Sequence, residues 1–154
     1  MSKDQQLFDL INSYRETEGV APLDCVPEVA MAAQHHSEDM AEFDFFDHKT
    51  VQSSFYAVGS HGEDRMAQEG YEIGTWAKNI ACGQGTVEET LAWQQSQGHN
   101  EILLYEGYRV IGIGMAEGST ECSRTGQQIL LLRRIQRASL PRPKLLGGSS
   151  LHHL

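Results

Sequence analysis

Two histidines and one serine are the residues in this chain best placed for chemistry. His48 follows Phe43-Asp-Phe-Phe-Asp47 and falls in a loop, while His99 follows Gly98 at an expected helix end. An unperturbed imidazole changes charge near neutral pH, so both suit acid–base work, hydrogen bonding or metal ligation. Two ligands fall short of a catalytic zinc, which takes three protein ligands plus water. Ser96 lies three residues before His99, about one helical turn, so hydroxyl and ring share a face. A Ser–His nucleophile also needs an orienting acid and an oxyanion hole. Asp47 and Glu63 are the acids at hand, but a serine capping the helix end under a histidine is the favoured reading.

The elements that position these residues run from Trp76 to Gly114. Thr86 with Glu89 forms a capping box that starts a helix carrying Val87, Thr90, Leu91 and Gln94, expected to stop near Gly98. Tyr108 to Gly114 alternates in the two-residue period of a strand. Gly112 and Gly114 suit a strand passing close under a helix rather than a phosphate loop, since no Gly-Lys-Ser/Thr follows. Upstream, Ser2 and Gln5 cap a first helix with Leu7, Leu10, Ile11 and Tyr14 on one face, ended by Gly19. Ala21 to Asp24 forms a turn anchored by Leu23. Pro27 opens a second helix to about Glu42, with Val29, Ala32, Ala33, His36 and Met40 facing inward and His35 beside them. A core-facing helical histidine is more often a hydrogen-bonded packing residue than a ligand. Residues 49–60 show no period, Arg65 to Gly70 reads as a short helix, and Tyr71 to Ile80 as a strand with Ile73 and Trp76. Helices alternating with short strands imply a sheet covered by helices.

At 154 residues, 40% hydrophobic and 21% charged, the chain has globular composition and can bury a core without staples. A formal net charge of −9 argues against a nucleic-acid partner. The charge is uneven. All 21 acidic residues lie at or before Glu121, while Arg124, Arg133, Arg134, Arg137, Arg142 and Lys144 follow it. Cys25, Cys82 and Cys122 lack the close spacing of a zinc knuckle or redox pair, leaving one disulfide plus a free thiol, or three buried thiols. No apolar run reaches the ~20 residues of a membrane span. No signal peptide is visible, so the chain is expected to be intracellular or to take its export signal from outside this sequence.

An ordered set of motifs then resembles the CAP superfamily of cysteine-rich secretory, antigen 5 and pathogenesis-related proteins, in its compact bacterial branch. It comprises Leu10-Ile-Asn-x-x-Arg15 with Pro22-Leu23, Ala33-Gln-His-His-Ser-x-Asp-Met40, Phe45-Phe-Asp-His48, Asp64-Arg65 with Gly70-Tyr71, Asn79-Ile-Ala, Trp93-x-x-Ser96-x-Gly98-His99, Asn100-x-Ile-Leu103, and Tyr108 to Gly114. The resemblance implies an α+β fold, a three-layer α/β/α sandwich with a small central sheet. It also implies a cleft where animal and plant members hold two histidines and two glutamates, some with a divalent metal. His48 and His99 match the histidines, while Lys78 and Ser96 stand at the glutamate positions. An ammonium ~4 Å from a divalent ion costs several kcal/mol at an effective dielectric near 20. The cleft of His48, Lys78, Asn79, Ser96 and His99 is therefore expected to have lost its metal, with zinc binding by His48 and His99 weakened and no cofactor held.

What the resemblance implies for function is a secreted, non-enzymatic module, extracellular or periplasmic and monomeric. Its ligand would be a small molecule, a lipid or a cell-surface component. The alternative is a hydrolase using His48 and His99, with Ser96. The family's closing Tyr-x-x-Trp-Thr strand is missing, so residues 1–121 are expected to form the domain and 122–154 an atypical basic tail, partly disordered or frameshifted. Codons permitted from Cys122 onward can spell a Trp-Thr-x-x-Phe segment in another frame. Ile129 to Ile135 is the candidate for a substitute strand or helix.

Overall fold

The computed structural model describes residues 1–72, 74–96 and 98–118, and the backbone of 126–132. Helix α1 (Lys3–Thr17) starts where the Ser2 hydroxyl accepts the Gln5 amide, and buries Leu7 and Ile11 completely. A short β1 (Asp24–Cys25) follows, where the sequence suggested only a turn. Helix α2 (Pro27–Glu42) has its proline at the first turn, where no amide is needed. It ends as Asp44 turns to a positive φ of 53° and Phe45 N–H returns to Met40 O. Then come α3 (Gly62–Gln68), β2 (Trp76–Ala81), α4 (Val87–Gln94), α5 (His99–Leu103), β3 (Val110–Ala116) and β4 (Gly126–Leu132).

The sheet order is β1-β3-β4-β2, with β4 antiparallel to both neighbours and β1 parallel to β3. Helix α2 lies against β3 and β4, while α1 contacts β3 and α4 contacts β2. Two cores result. Leu7, Ile11, Leu23, Val87, Leu103, Tyr108, Ile111 and Ile113 form one; Val29, Ala32, Ala33, Met66 and Val110 form the other. The alternation of β3 divides them, as a two-residue period must. This is the α/β/α sandwich.

On the α2 face the strand offers glycine. A Cβ on Gly112 would lie 2.4 Å from Val29 C, and one on Gly114 2.2 Å from Ala33 C, so helix backbone rests directly on strand backbone. Beyond the short β1, side chains of α2 satisfy the free edge of β3. Gln34 exchanges two hydrogen bonds with Met115, and Ser37 donates to Gly114 O.

Several boundaries differ from the sequence reading. Helix α4 ends at Gln94 rather than near Gly98, because Gly98 (φ 89°) precedes a new helix, α5. Strand β2 begins at Trp76, later than Tyr71, and Ile73 falls outside the described residues. Strand β4 follows the boundary placed at Glu121 and fills the gap between β3 and β2. Residues 133–154, and with them the expectation of a disordered tail, lie outside the described part. Cys25 is free and exposed and Cys82 is disulfide-bonded, so the reading of three buried thiols does not hold.

The capping box of α4 is present in full. Thr86 Oγ1 accepts Glu89 N–H at 3.1 Å, and Glu89 Oε2 accepts Gly85 and Thr86 N–H at 2.7 and 3.2 Å. Thr86→Ala is expected to cost about 1 kcal/mol, read as a lower urea midpoint at unchanged slope.

Candidate functional site

The N-terminal motif residues turn out to build the frame. Asn12 exchanges two hydrogen bonds with the Leu23 backbone, at 3.0 and 2.8 Å. Arg15, fully buried, donates to Ala21 O and to Leu103 O at 2.9 and 2.6 Å, joining α1 to the end of α5. Tyr14 donates to Asn100 Oδ1 at 2.8 Å. Helix α5, and so His99 at its start, is thereby fixed against α1.

The segment from Phe43 to His61 has no secondary structure of its own and is pinned by long polar side chains. Buried Asp39 accepts from the Ser53 hydroxyl and from Ser54 N–H, while Ser53 Oγ accepts Phe55 and Tyr56 N–H. His35 stacks on Phe55 with centroids 3.8 Å apart, and its Nδ1 lies 2.8 Å from Glu69 Oε1, which also accepts the Tyr56 hydroxyl. His36 is fully buried, and its Nε2 donates to Asp47 O at 2.8 Å, one residue before His48. Burial, with Arg65 and Lys78 adding to it, lowers the His36 pKa to about 3. His36 is thus a neutral packing residue, as its place on the inner stripe suggested.

Two cations converge on the His48 carbonyl. Arg65, completely buried on α3, donates from Nη2 at 3.2 Å and spends Nη1 on Thr50 Oγ1 and Ser60 O. Lys78, half-buried on β2, donates from Nζ at 2.7 Å and lies 5.5 Å from the centre of the Trp76 ring. Burial lowers the Lys78 pKa to about 8, with Arg65 contributing. The His48 pKa is also lowered, first by what the cleft covers of its ring and then by Lys78, with Arg65 and His99 adding to it.

Next on β2, buried Asn79 donates to Gln94 Oε1 at 2.7 Å and to His99 O at 3.4 Å, tying the strand to α4 and α5. Ser96 Oγ and His99 Nδ1 are 3.1 Å apart, and the His99 ring packs on Trp93 with centroids 4.0 Å apart. The five expected cleft residues fall into two contact groups, His48 with Lys78 and Asn79 with Ser96 and His99, and Lys78 and Asn79 are neighbours on β2. Arg65, Trp76, Trp93 and Gln94 were not singled out as cleft residues. Arg65 and Trp93 did stand inside the matched motifs. Among the described residues, no three His, Cys, Asp or Glu side chains converge as a metal site would require.

His48 thus lies in the 43–61 segment and His99 opens α5. Residues 8–129 match the cysteine-rich secretory protein family, CAP. The chain belongs to the CAP family. It is 32% identical to the YkwD protein of Bacillus subtilis over 120 residues, 76% of this chain and 44% of that protein. It spans less than half the length of the curated relatives it matches. Among solved structures it resembles an extracellular SCP-domain protein of Bacillus anthracis, at 25% identity and TM-score 0.69, over 86% of this chain and 40% of that one. An outer surface protein of Borrelia burgdorferi shares the fold at TM-score 0.71 and 16% identity, over 84% of this chain and 91% of that one. No helix among the described residues of this CAP domain is long and apolar enough to cross a membrane.

Proposed function

We propose that this CAP domain is an extracellular, non-enzymatic binding module whose cleft takes a ligand without a divalent metal. One contact carries the reading: the Lys78 ammonium, bonded to His48 O at 2.7 Å, stands where the resemblance puts a glutamate. A fixed cation beside the candidate ligand His48 opposes a second cation in the same place. Ser96, at the other glutamate position, binds His99 Nδ1 itself. The donor set does not fit the family's metal. Likeness to the extracellular SCP-domain protein of Bacillus anthracis supports the location.

Calorimetric zinc titration near neutral pH tests this. The wild type is expected to give no saturable heat, whereas Lys78→Glu combined with Ser96→Glu, which supplies two carboxylates to His48 and His99, is expected to bind zinc saturably. Saturable binding in the wild type, lost in His48→Ala, would overturn the reading.

The 3.1 Å Ser96–His99 contact favours a second reading, a hydrolase with Ser96 as nucleophile. Among the described residues no orienting acid is in place for it: Asp47 Oδ1 accepts Lys49 N–H, and no hydrogen bond joins Asp47 or Glu63 to either imidazole. Ester hydrolysis abolished by Ser96→Ala is the result that reading requires.

A further inference from the structure

We propose that the cleft bounded by His48, Lys78, Ser96 and His99 is an oxyanion site, in which Lys78 takes the carboxylate or phosphate group of the ligand. The inference rests on the metal-free binding cleft above and adds the sign of its ligand.

The local charge is the first support. Arg65 and Lys78 direct their donors at a single carbonyl oxygen, that of His48. A carbonyl has two lone pairs and no charge, so it satisfies two donors and neutralises neither cation. Among the described residues the ion pairs are Lys3–Glu117 and His35–Glu69, and neither involves Arg65 or Lys78. Arg65 has no exposed surface at all. Asp47 and Glu63 act on Lys78, and Asp39 and Asp64 on Arg65, only from beyond salt-bridge distance. A charge withdrawn from water without a contacting counter-charge is costly, and a bound anion offsets part of that cost.

The second support is donor supply. An ammonium carries three N–H groups, and Lys78 gives one to His48 O. The Ser96 hydroxyl lies 3.1 Å from the His99 ring at the turn between α4 and α5, and Asn79, the neighbour of Lys78 on β2, holds that turn through the His99 carbonyl. A lysine acts as a point charge and does not distinguish planar carboxylate from tetrahedral phosphate. The shared chemistry is the oxyanion. The formal net charge of −9 repels anions at long range, so an anion that does bind is held by these short contacts.

The test follows the ring resonances of His48 and His99 by NMR at constant pH, while sodium phosphate, sodium acetate or sodium chloride is added to matched ionic strength. Phosphate, acetate or both should shift the two rings saturably, and whichever does so names the source. Lys78→Gln should weaken that binding at least ~10-fold, and Lys78→Arg, which keeps the charge, should retain it. An equal shift with chloride, no saturable shift with either oxyanion, or wild-type affinity in folded Lys78→Gln would overturn the inference. Because the oxyanion titrations of the wild type and Lys78→Arg decide it alone, a poorly folded Lys78→Gln does not leave it open. Zinc added to the same wild-type sample separates the two claims. Absence of both zinc and oxyanion binding removes only the anion inference, whereas saturable zinc binding removes the metal-free reading beneath it.

Discussion

Gly114→Ala is expected to cost at least ~3 kcal/mol and to lower Tm by roughly 10 °C. The added methyl group would sit 2.2 Å from Ala33 C and from Gln34 N, inside the backbone of α2. Backbone atoms cannot rotate aside as a side chain does, so the helix must lift from the sheet. Val29, Ala32 and Ala33 would lift with it, and they make up most of the core on that face. The Gln34–Met115 pairing and the Ser37 bond to Gly114 O would lengthen as well. Gly85→Ala is the control. Its methyl group would meet only the end of the Glu89 carboxylate at 3.4 Å, and it is expected to change Tm far less. Thermal melts of the two variants decide it: equal losses would mean that the close approach of α2 to β3 is not what requires Gly114. Functional loss should follow, since α2 leads directly into the segment that presents His48.

The second large effect is acid destabilisation through His36. Its Nε2 proton is committed to Asp47 O, and its buried Nδ1 has no partner. Protonation would place an N–H and a charge where nothing accepts them, which is why burial lowers the pKa from 6.5 to about 3. The unfolded chain takes up this proton near 6.5 and the folded one only near 3. The contribution is therefore complete above pH 6.5 and is lost as pH falls toward 3, at a limiting slope of just over ~1 kcal/mol per pH unit. Against a total stability of about 5–15 kcal/mol for a domain, this is a large share. Urea unfolding at successive pH values should show the slope in the wild type and a flatter profile in His36→Gln, from a lower starting stability at neutral pH. An equally steep profile in the variant would assign the acid limb to other groups.

Much of the helical layer was legible because its signals are local. Ser2 with Gln5, Pro27, and Thr86 with Glu89 each start a helix within four residues of where they act, and Gly112 with Gly114 marked the close crossing. Helix α5 was hidden by its five-residue length. Strand β4 was legible in part: Ile129 to Ile135 stood as the candidate for a substitute strand or helix, with its type left open. Ile129-Leu-Leu-Leu reads straight into Arg133 and Arg134, and a short apolar run without alternation does not by itself separate strand from helix. The cleft was legible as side chains but not as a charge distribution. What sets the field is a backbone acceptor, the His48 carbonyl, shared by Arg65 and Lys78 from 17 and 30 residues away. No periodicity records such a contact. The segment around it looked featureless because the bonds that hold it come from Asp39, Arg65 and Gln68 on flanking helices.

The position of β4 also governs when the sheet can form. Among the described residues β2 and β3 share no hydrogen bonds; each meets the other through β4, which follows both in chain order. Until residues 126–132 leave the ribosome, the inner edges of both strands have no partner. Such late, non-local pairing is slow, since the closure entropy is lost before the contacts form. A nascent chain of this kind holds its sheet unassembled until β4 has emerged. It therefore stays threadable until residues 126–132 are available to pair.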